Sequence, residues 1–351
     1  MRKLAGLLVA LATIGGGPNL TAAQENEGPT FVFGASTSIL WDINDPDDPG
    51  FNAATYSSFE QDESFNIDLV QLGVSGSRGR ASYGATLDFG DLAAAAGDSA
   101  DGDVALQTAF LSYDFDGAGV TAGRFGTPIG YEVLEPWGNA HISRSWGWSA
   151  QPINHDGIHV HGQAGILEAM IGAVNGFTVA DTDGNDIDDE KGVIGSVAAA
   201  INDALGLYFA GIFTEEEDTT DTLMLNAIVS GSVPAGGEMS YAIEGNWRQD
   251  DPEGAPTTEF WNVTGYLGMA FGAAGFAVRA DYTDDEGIVV PVAGTGLWGV
   301  TLTGSYALVD GVTVRLEYRH DDADEDVFGD GSSLDDTLDT IQAQVIWTPE
   351  L

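Results

Sequence analysis

The chain has 351 residues, 55 of them acidic and 11 basic, with a formal net charge of −44 and no cysteine. That charge excludes nucleic acid and anionic lipid surfaces as electrostatic partners, and the lack of thiols removes disulfides and thiolate metal sites. Disorder is excluded as well, because 43% of the residues are hydrophobic and 16 Phe, 10 Tyr and 8 Trp are present.

The chain opens with "MRKLAGLLVALATIGGGPNLTAAQ", in which Arg2 and Lys3 precede an apolar run from Leu4 to Ile14. Thr21, Ala22 and Ala23 then give a small-x-small end, so 1–23 reads as a secretory signal cut before Gln24. The apolar run is too short to cross a bilayer as a helix. Without Arg2 and Lys3, the exported chain 24–351 carries −46 and is expected to form a single domain.

Beyond the signal no apolar run of helical spanning length occurs, and the recurring pattern is period-two alternation. Sixteen strands are predicted: 30–41, 63–77, 79–89, 103–115, 117–127, 155–163, 165–174, 192–201, 204–214, 222–233, 237–249, 258–271, 274–284, 296–308, 311–321 and 337–347. In "RASYGATLDF", Tyr83, Ala85 and Leu87 alternate with Ser82, Thr86 and Asp88, and in "VTVRLEY", Val314, Leu316 and Tyr318 alternate with Arg315, Glu317 and Arg319. The connections alternate between tight turns such as "DGAG" and "VDG" and long acidic stretches such as 42–62, 90–102, 175–191 and 322–336.

Strands of about ten alternating residues, with short turns at one end and long loops at the other, indicate an all-β transmembrane antiparallel barrel. Such a sheet must close, because an open edge would leave backbone groups unpaired in hydrocarbon. Sixteen strands are expected, within a range of fourteen to eighteen, with both termini on the short-turn side. Trp41, Trp247, Phe271, Tyr282, Tyr318 and Trp347 fall near strand ends, as interfacial aromatic girdles require. A soluble sandwich also alternates, but it does not require this strict division between turns and loops.

After the fifth strand the sequence carries Gly123-Arg124-Phe125, then Pro128-Ile129-Gly130-Tyr131-Glu132, then Ser143-Arg144, then His155-Asp156-Gly157. This stretch of about forty residues resembles the OmpL-like β-barrel porin family of Gram-negative outer membranes. The resemblance implies a pore in the cell outer membrane, placed there by the barrel-assembly machinery and surrounded by lipid and lipopolysaccharide. One departure concerns the end of the chain. Ile341, Ala343, Val345 and Trp347 supply the terminal aromatic strand that this machinery reads, but "TPEL" follows.

The connection 128–154 is the longest and resembles the loop that general sixteen-stranded porins fold into the lumen as a constriction, which would make Glu132, Glu135 and Arg144 eyelet residues; the alternative is an outward loop packed against its neighbours. Arg80, Arg248, Arg279, Arg315 and Arg319 lie on polar strand faces, with Arg124 assigned there too, because an arginine facing lipid at mid-membrane costs about 2–4 kcal/mol. Asp88, Glu244, Asp281 and Glu317 oppose them. The two sets either form a transverse field that selects solutes or neutralise one another and brace the wall.

His155, His159 and His161 share one parity and are placed on the lumen wall, where their charge would change near pH 6–7. The acidic stretch "DTDGNDIDDE" offers Asp181, Asp183, Asp186 and Asp188 to a loosely held divalent cation, though it lacks the twelve-residue loop spacing. No nucleophile elbow, zinc-hydrolase motif or phosphate loop occurs, and neither catalysis nor a cofactor is expected. The function expected is passive diffusion of small hydrophilic solutes or ions, with a cation preference and a homotrimer as further expectations. The alternatives are a barrel enzyme or metal-binding barrel built on the three histidines, and a plugged structural or adhesive barrel.

Overall fold

A computed structural model describes residues 28–43, 65–95, 104–179, 191–215, 220–234, 238–290, 292–329 and 334–349. The signal 1–23 and the acidic candidates Asp181, Asp183, Asp186 and Asp188 lie outside them. The strands are β1 (Thr30–Asp42), β2 (Phe65–Arg78), β3 (Ala81–Phe89), β4 (Val104–Asp114), β5 (Ala118–Gly126), β6 (Asn154–Ala164), β7 (Leu167–Val174), β8 (Gly192–Asn202) and β9 (Leu205–Thr214). They continue as β10 (Thr220–Pro234), β11 (Glu238–Pro252), β12 (Thr258–Phe271), β13 (Ala274–Asp285), β14 (Thr295–Val309), β15 (Val312–Ala323), the short pair β16 (Phe328–Gly329) and β17 (Leu334–Asp335), and β18 (Thr337–Trp347).

Each barrel strand pairs antiparallel with its neighbours in sequence, and β18 closes the sheet by pairing with both β15 and β1. In the closing seam Ala35 faces Trp347 and Asp42 faces Thr340. Closure leaves no edge, so the ladder satisfies the backbone within the hydrocarbon. All sixteen predicted strands are present, and no end moves by more than three residues. The sequence reading missed the β16–β17 pair, which lies in a loop, and two short helices, α1 (Asp91–Ala95) and α2 (Trp146–Ser149).

Outward positions are mostly apolar, with the Arg124–Asp156 pair of β5 and β6 an exception. Trp261 packs on Tyr282 and Trp298 on His320, each with ring centroids 5.1 Å apart, at the long-loop ends of their strands. Trp298 Nε1 donates to Asp322 and Tyr318 OH to Asp339, so these rings put their apolar bodies toward lipid and their polar tips toward water. Tyr113 and Phe115 make a corresponding pair at the short-turn end.

The inward face is divided. From β13 through β15 and β18 to β3 it carries Arg279, Asp281, Thr301, Thr303, Arg315, Glu317, Gln342, Gln344, Ser36, Ser38, Gln71 and Asp88, all buried. From β7 to β10 it is largely apolar: Val174, Ile194, Tyr208, Ile212, Met224 and Ile228 form one buried cluster with Phe125 and Ile129. This sector is packed like a protein core.

Candidate functional site

Residues 127–153 join β5 to β6 and lie inside the barrel, one residue earlier at each end than the sequence suggests. The Gly-Arg-Phe and His-Asp-Gly motifs build the base of this segment. Gly123 has φ of +120°, and a side chain there would run into the Ala109 carbonyl, so only glycine lets β5 leave β4 at this point. Above it the β4–β5 ladder stops at the Ala109–Arg124 pair. Side chains then take over: Arg124 Nη1 donates to the Leu106 carbonyl at 3.0 Å and Asn154 Nδ2 to that of Gln107 at 2.9 Å. Phe125 turns inward against His159, with ring centroids 4.7 Å apart.

The segment is then fastened to the wall on several sides. On β9, Tyr208 OH donates to the Pro128 carbonyl. On β11, Glu244 accepts from Tyr131 N and Gln151 Nε2, both at 3.0 Å. On β13, Arg279 donates from Nη1 to Glu132 at 2.7 Å and to the Ser143 carbonyl at 2.8 Å. On β15, Arg315 donates to the carbonyls of Pro136 (2.9 Å) and Asn139 (2.6 Å), Arg319 to that of Arg144 (2.7 Å), and Glu317 accepts from the N–H groups of Ile142 (2.6 Å) and Ser143 (2.8 Å). On the other side of the lumen, Glu135 accepts from Gln107 of β4 at 2.7 Å and Gln71 of β2 at 3.3 Å. Trp137 lies on Gly34 of β1, in space that any side chain at that position would fill.

Arg144 folds the segment on itself by donating to the carbonyls of Val133, Leu134 and Ile142. Ser145 caps α2 by accepting from Trp148 N, and Trp146 Nε1 reaches Asp321 at 2.8 Å. Residues 141–147 are all buried. Below the segment, on the short-turn side, a pocket opens to solvent; Tyr131, Glu132, Trp137, Asn139 and His141 close its inner end against Arg315, Tyr266 and Thr303.

Two groups of the segment are tuned by this packing. Burial alone would raise the Glu132 carboxyl, but Arg279, Arg144 and Ser145 hold it below the usual carboxylate range. Burial pushes the His141 imidazole below the usual histidine range, against the pull of Glu317. Both groups bind fewer protons in place than when released, so each stabilises the packed segment above its free pKa and loses that contribution as pH falls. The loss should begin below the ordinary histidine value, about 6.5, and deepen through the carboxylate range. Protection of the amides of 143–146, corrected for the intrinsic slowing of exchange at lower pH, is expected to fall between about pH 7 and pH 4; flat protection across that interval would contradict the assignment.

The family described as "Putative beta-barrel porin-2, OmpL-like" matches residues 35–348. The chain belongs to this porin family. A search of curated protein sequences finds no match. The fold is similar to that of the outer-membrane OmpT of Vibrio cholerae (12% identity, 93% of this chain and 100% of that one, TM-score 0.62). It is similar also to an anion-selective porin from Comamonas acidovorans (12%, 93% and 100%, 0.62) and to the outer membrane channel DcaP of Acinetobacter baumannii (9%, 92% and 97%, 0.63). OmpT has also been solved in a trimer form (12%, 92% and 99%, 0.61). This chain is thus a sixteen-stranded outer-membrane barrel of a porin family.

Within this porin the predicted charges fall into three groups. Asp88, Glu132, Glu135, Arg144, Glu244, Arg248, Arg279, Asp281, Arg315, Glu317 and Arg319 all lie inside the barrel. Most are covered by the 127–153 segment or bonded to it: Arg279 is 0% and Arg319 1% exposed. Arg248 makes a two-point pair with Asp250, donates to the Ala150 carbonyl and lies over the Phe177 ring. A bare ladder of arginines facing the lumen is therefore not what these residues form.

Arg80 needs correction. It sits in the turn before β3, half exposed and bridged to Asp116 of the next turn at 2.6 Å, because β3 starts at Ala81. Arg124 needs correction too. Phe125 and His155 point inward, so Arg124 and its cross-strand partner Asp156 occupy the outer face, joined at 2.8 and 2.7 Å. The assignment failed because it treated arginine as incompatible with that face and did not allow for a carboxylate directly opposite.

The histidines do share the inward face. His155 is 1% exposed and bonded to Thr127, His159 lies against Phe125, and the His159 and His161 rings are 5.3 Å apart. They pack as wall, away from open solvent, so the expected titrating histidine surface lacks its premise. Among the described residues no three metal-ligating side chains converge. Residues missed in the sequence are Tyr131, Trp137, His141, Trp146 and Gln71. Their signal was composition: unlike the other long connections, this one holds Trp137, Trp146 and Trp148 and only two acids, Glu132 and Glu135.

Proposed function

We propose that the 127–153 segment is the filter of this porin, and that small hydrophilic solutes or ions pass between its edge and the wall. The observation that carries this reading is the set of bonds from the segment to β9, β11, β13 and β15 on one side and to β2 and β4 on the other. A segment tied at so many points narrows the lumen at a fixed height. In this reading Arg279, Arg315 and Arg319 hold the filter in place, while Glu132 and Arg315, at the inner end of the cavity, meet the solute.

The acidic balance of the chain, −44, favours cations in the approach to the pore. Export by the leader 1–23, delivery by the barrel-assembly machinery through the strand ending at Trp347, lipopolysaccharide as a neighbour, and assembly of three copies complete the proposal. Planar-bilayer recording of the purified chain is expected to give stepwise ohmic openings and, in a salt gradient, a reversal potential of the cation-selective sign. A reversal potential of the opposite sign refutes the cation preference. A fully inserted but silent barrel would instead support the plugged reading, which the burial of residues 141–147 favours.

A further inference from the structure

We propose that His159 and His161 of β6, with Met170 of β7, take up one cuprous ion from the short-turn mouth of the barrel. The inference is independent of how the segment above them filters. It starts from nitrogens that the wall leaves unused. A neutral imidazole carries one N–H and one lone pair. In His161 both ring nitrogens are buried without a hydrogen-bond partner, and in His159 so is Nδ1. His155 differs, because its Nε2 is bonded to Thr127 at 3.1 Å. Buried polar atoms are nearly always paired, so two neighbouring imidazoles with idle nitrogens point to a ligand.

The wall is shaped around these two rings. Across the ladder His161 faces Gly119 of β5 and Met170 of β7, and His159 faces Thr121 and Gly172. A side chain at Gly119 would run into His161 Nε2, and one at Gly172 into His159 Cβ. Glycine at both places makes room for the rings, whose centroids are 5.3 Å apart. His161 is the nearer of the two to the turn, and its side chain is 9% exposed. Its Nε2 is 4.0 Å from Asp114, the last residue of β4, whose carboxylate is 45% exposed. A cation entering from that side meets Asp114 first and His161 next.

The donor set selects the metal. Among the described residues no third histidine or carboxylate joins the pair, so zinc, which takes four ligands of the nitrogen, oxygen or thiolate kind, lacks its shell. The further donor within reach is a thioether. Met170 stands directly opposite His161, where facing Cβ atoms are about 5 Å apart. It packs against the inner cluster that holds Ile194 and Tyr208. Its three rotatable bonds let the sulfur swing over the bare Gly172 toward the rings when an ion arrives. Two imidazoles and a thioether make a soft set of few donors, which suits Cu(I) and not calcium or magnesium.

The test is titration of the full chain, in detergent and chloride-free buffer, with silver nitrate, because Ag(I) shares the ligand preferences of Cu(I) and keeps its oxidation state. Only variants that retain the heat-dependent gel shift of a folded barrel are compared. The wild type is expected to hold one Ag(I) per chain. His159→Gln, His161→Gln and Met170→Leu should each weaken binding by about tenfold or more, and His320→Gln, on β15, should leave it unchanged. No stoichiometric binding, binding that survives both β6 variants, or Zn(II) held as tightly as Ag(I) overturns the site. Unchanged binding in Met170→Leu overturns the part given to the thioether and with it the choice of Cu(I). X-ray absorption of the wild type loaded with Cu(I) needs no variant: a first shell of imidazole nitrogen and one sulfur is expected, and a shell without sulfur overturns the proposal. None of these readouts depends on conductance, so failure of this site and failure of the filter are read separately.

Discussion

Replacing residues 133–142 by a short Gly-Ser link is expected to raise single-channel conductance several-fold while the barrel still forms. The wall does not depend on those residues, because each barrel strand bonds its two neighbours and β18 closes the sheet on β1. The excised part carries the carbonyls of Pro136, Asn139 and His141 that Arg315 binds, the Leu134 side chain packed against Leu69, Leu92 and Ala105, and the Trp137 ring on Gly34. Without it Arg315 and Glu317 would border an open polar lumen. Conductance in a planar bilayer, with heat-modifiable gel migration as the folding control, decides the point. An unchanged conductance would show that the segment does not set the pore. A silent parent whose shortened variant conducts would identify it as a plug.

Arg279→Met is expected to release the segment without removing any of it. Arg279 is fully buried and gives Glu132 its only ion-pair contact among the described residues, while also holding the Ser143 carbonyl and hydroxyl. Losing one partner strands a buried carboxylate, a change on the order of 3–5 kcal/mol. The segment should then open locally: amide exchange at 143–146 speeds up by a few hundred-fold or more, and open-channel current becomes noisy. Adding Glu132→Gln to the same chain should recover part of the protection, because the stranded Glu132 charge is then removed, while Asp281, 3.8 Å from Arg279 Nε in the parent, still lacks that neighbour. If the single variant exchanges as slowly as the parent, the pair does not hold the segment.

These expectations could not have been drawn from the chain alone, and the reason is visible in particular residues. Most strands repeat the same contrast between faces, so Val314, Leu316 and Tyr318 against Arg315, Glu317 and Arg319 is readable within seven residues. Sixteen such repeats, with turns and loops alternating, leave a closed membrane barrel as the arrangement that pairs every backbone group. The motif around Gly123, Glu132, Arg144 and Gly157 could be matched to a porin family, but its purpose could not be read. Its members answer to partners far along the chain: Glu132 to Arg279, Ser143 to Glu317, Gly123 to Ala109.

The errors have the same origin. Period two assigns a residue to a face only where the strand boundary is known, and Arg80 fell on the wrong side of one. Arg124 was moved inward on energetic grounds that hold for a lone charge, and Asp156 cancels them from a strand thirty residues on. In β8, "GVIGSVAAAIN", both faces are apolar, so no pattern could announce that the inner one packs as a core. Local alternation, charge balance and turn spacing are one-dimensional quantities, and they suffice for a fold whose every contact repeats the same neighbour rule. Where the segment between β5 and β6 comes to rest, and what its charges meet there, depends on contacts made across the barrel, between residues that no periodicity relates.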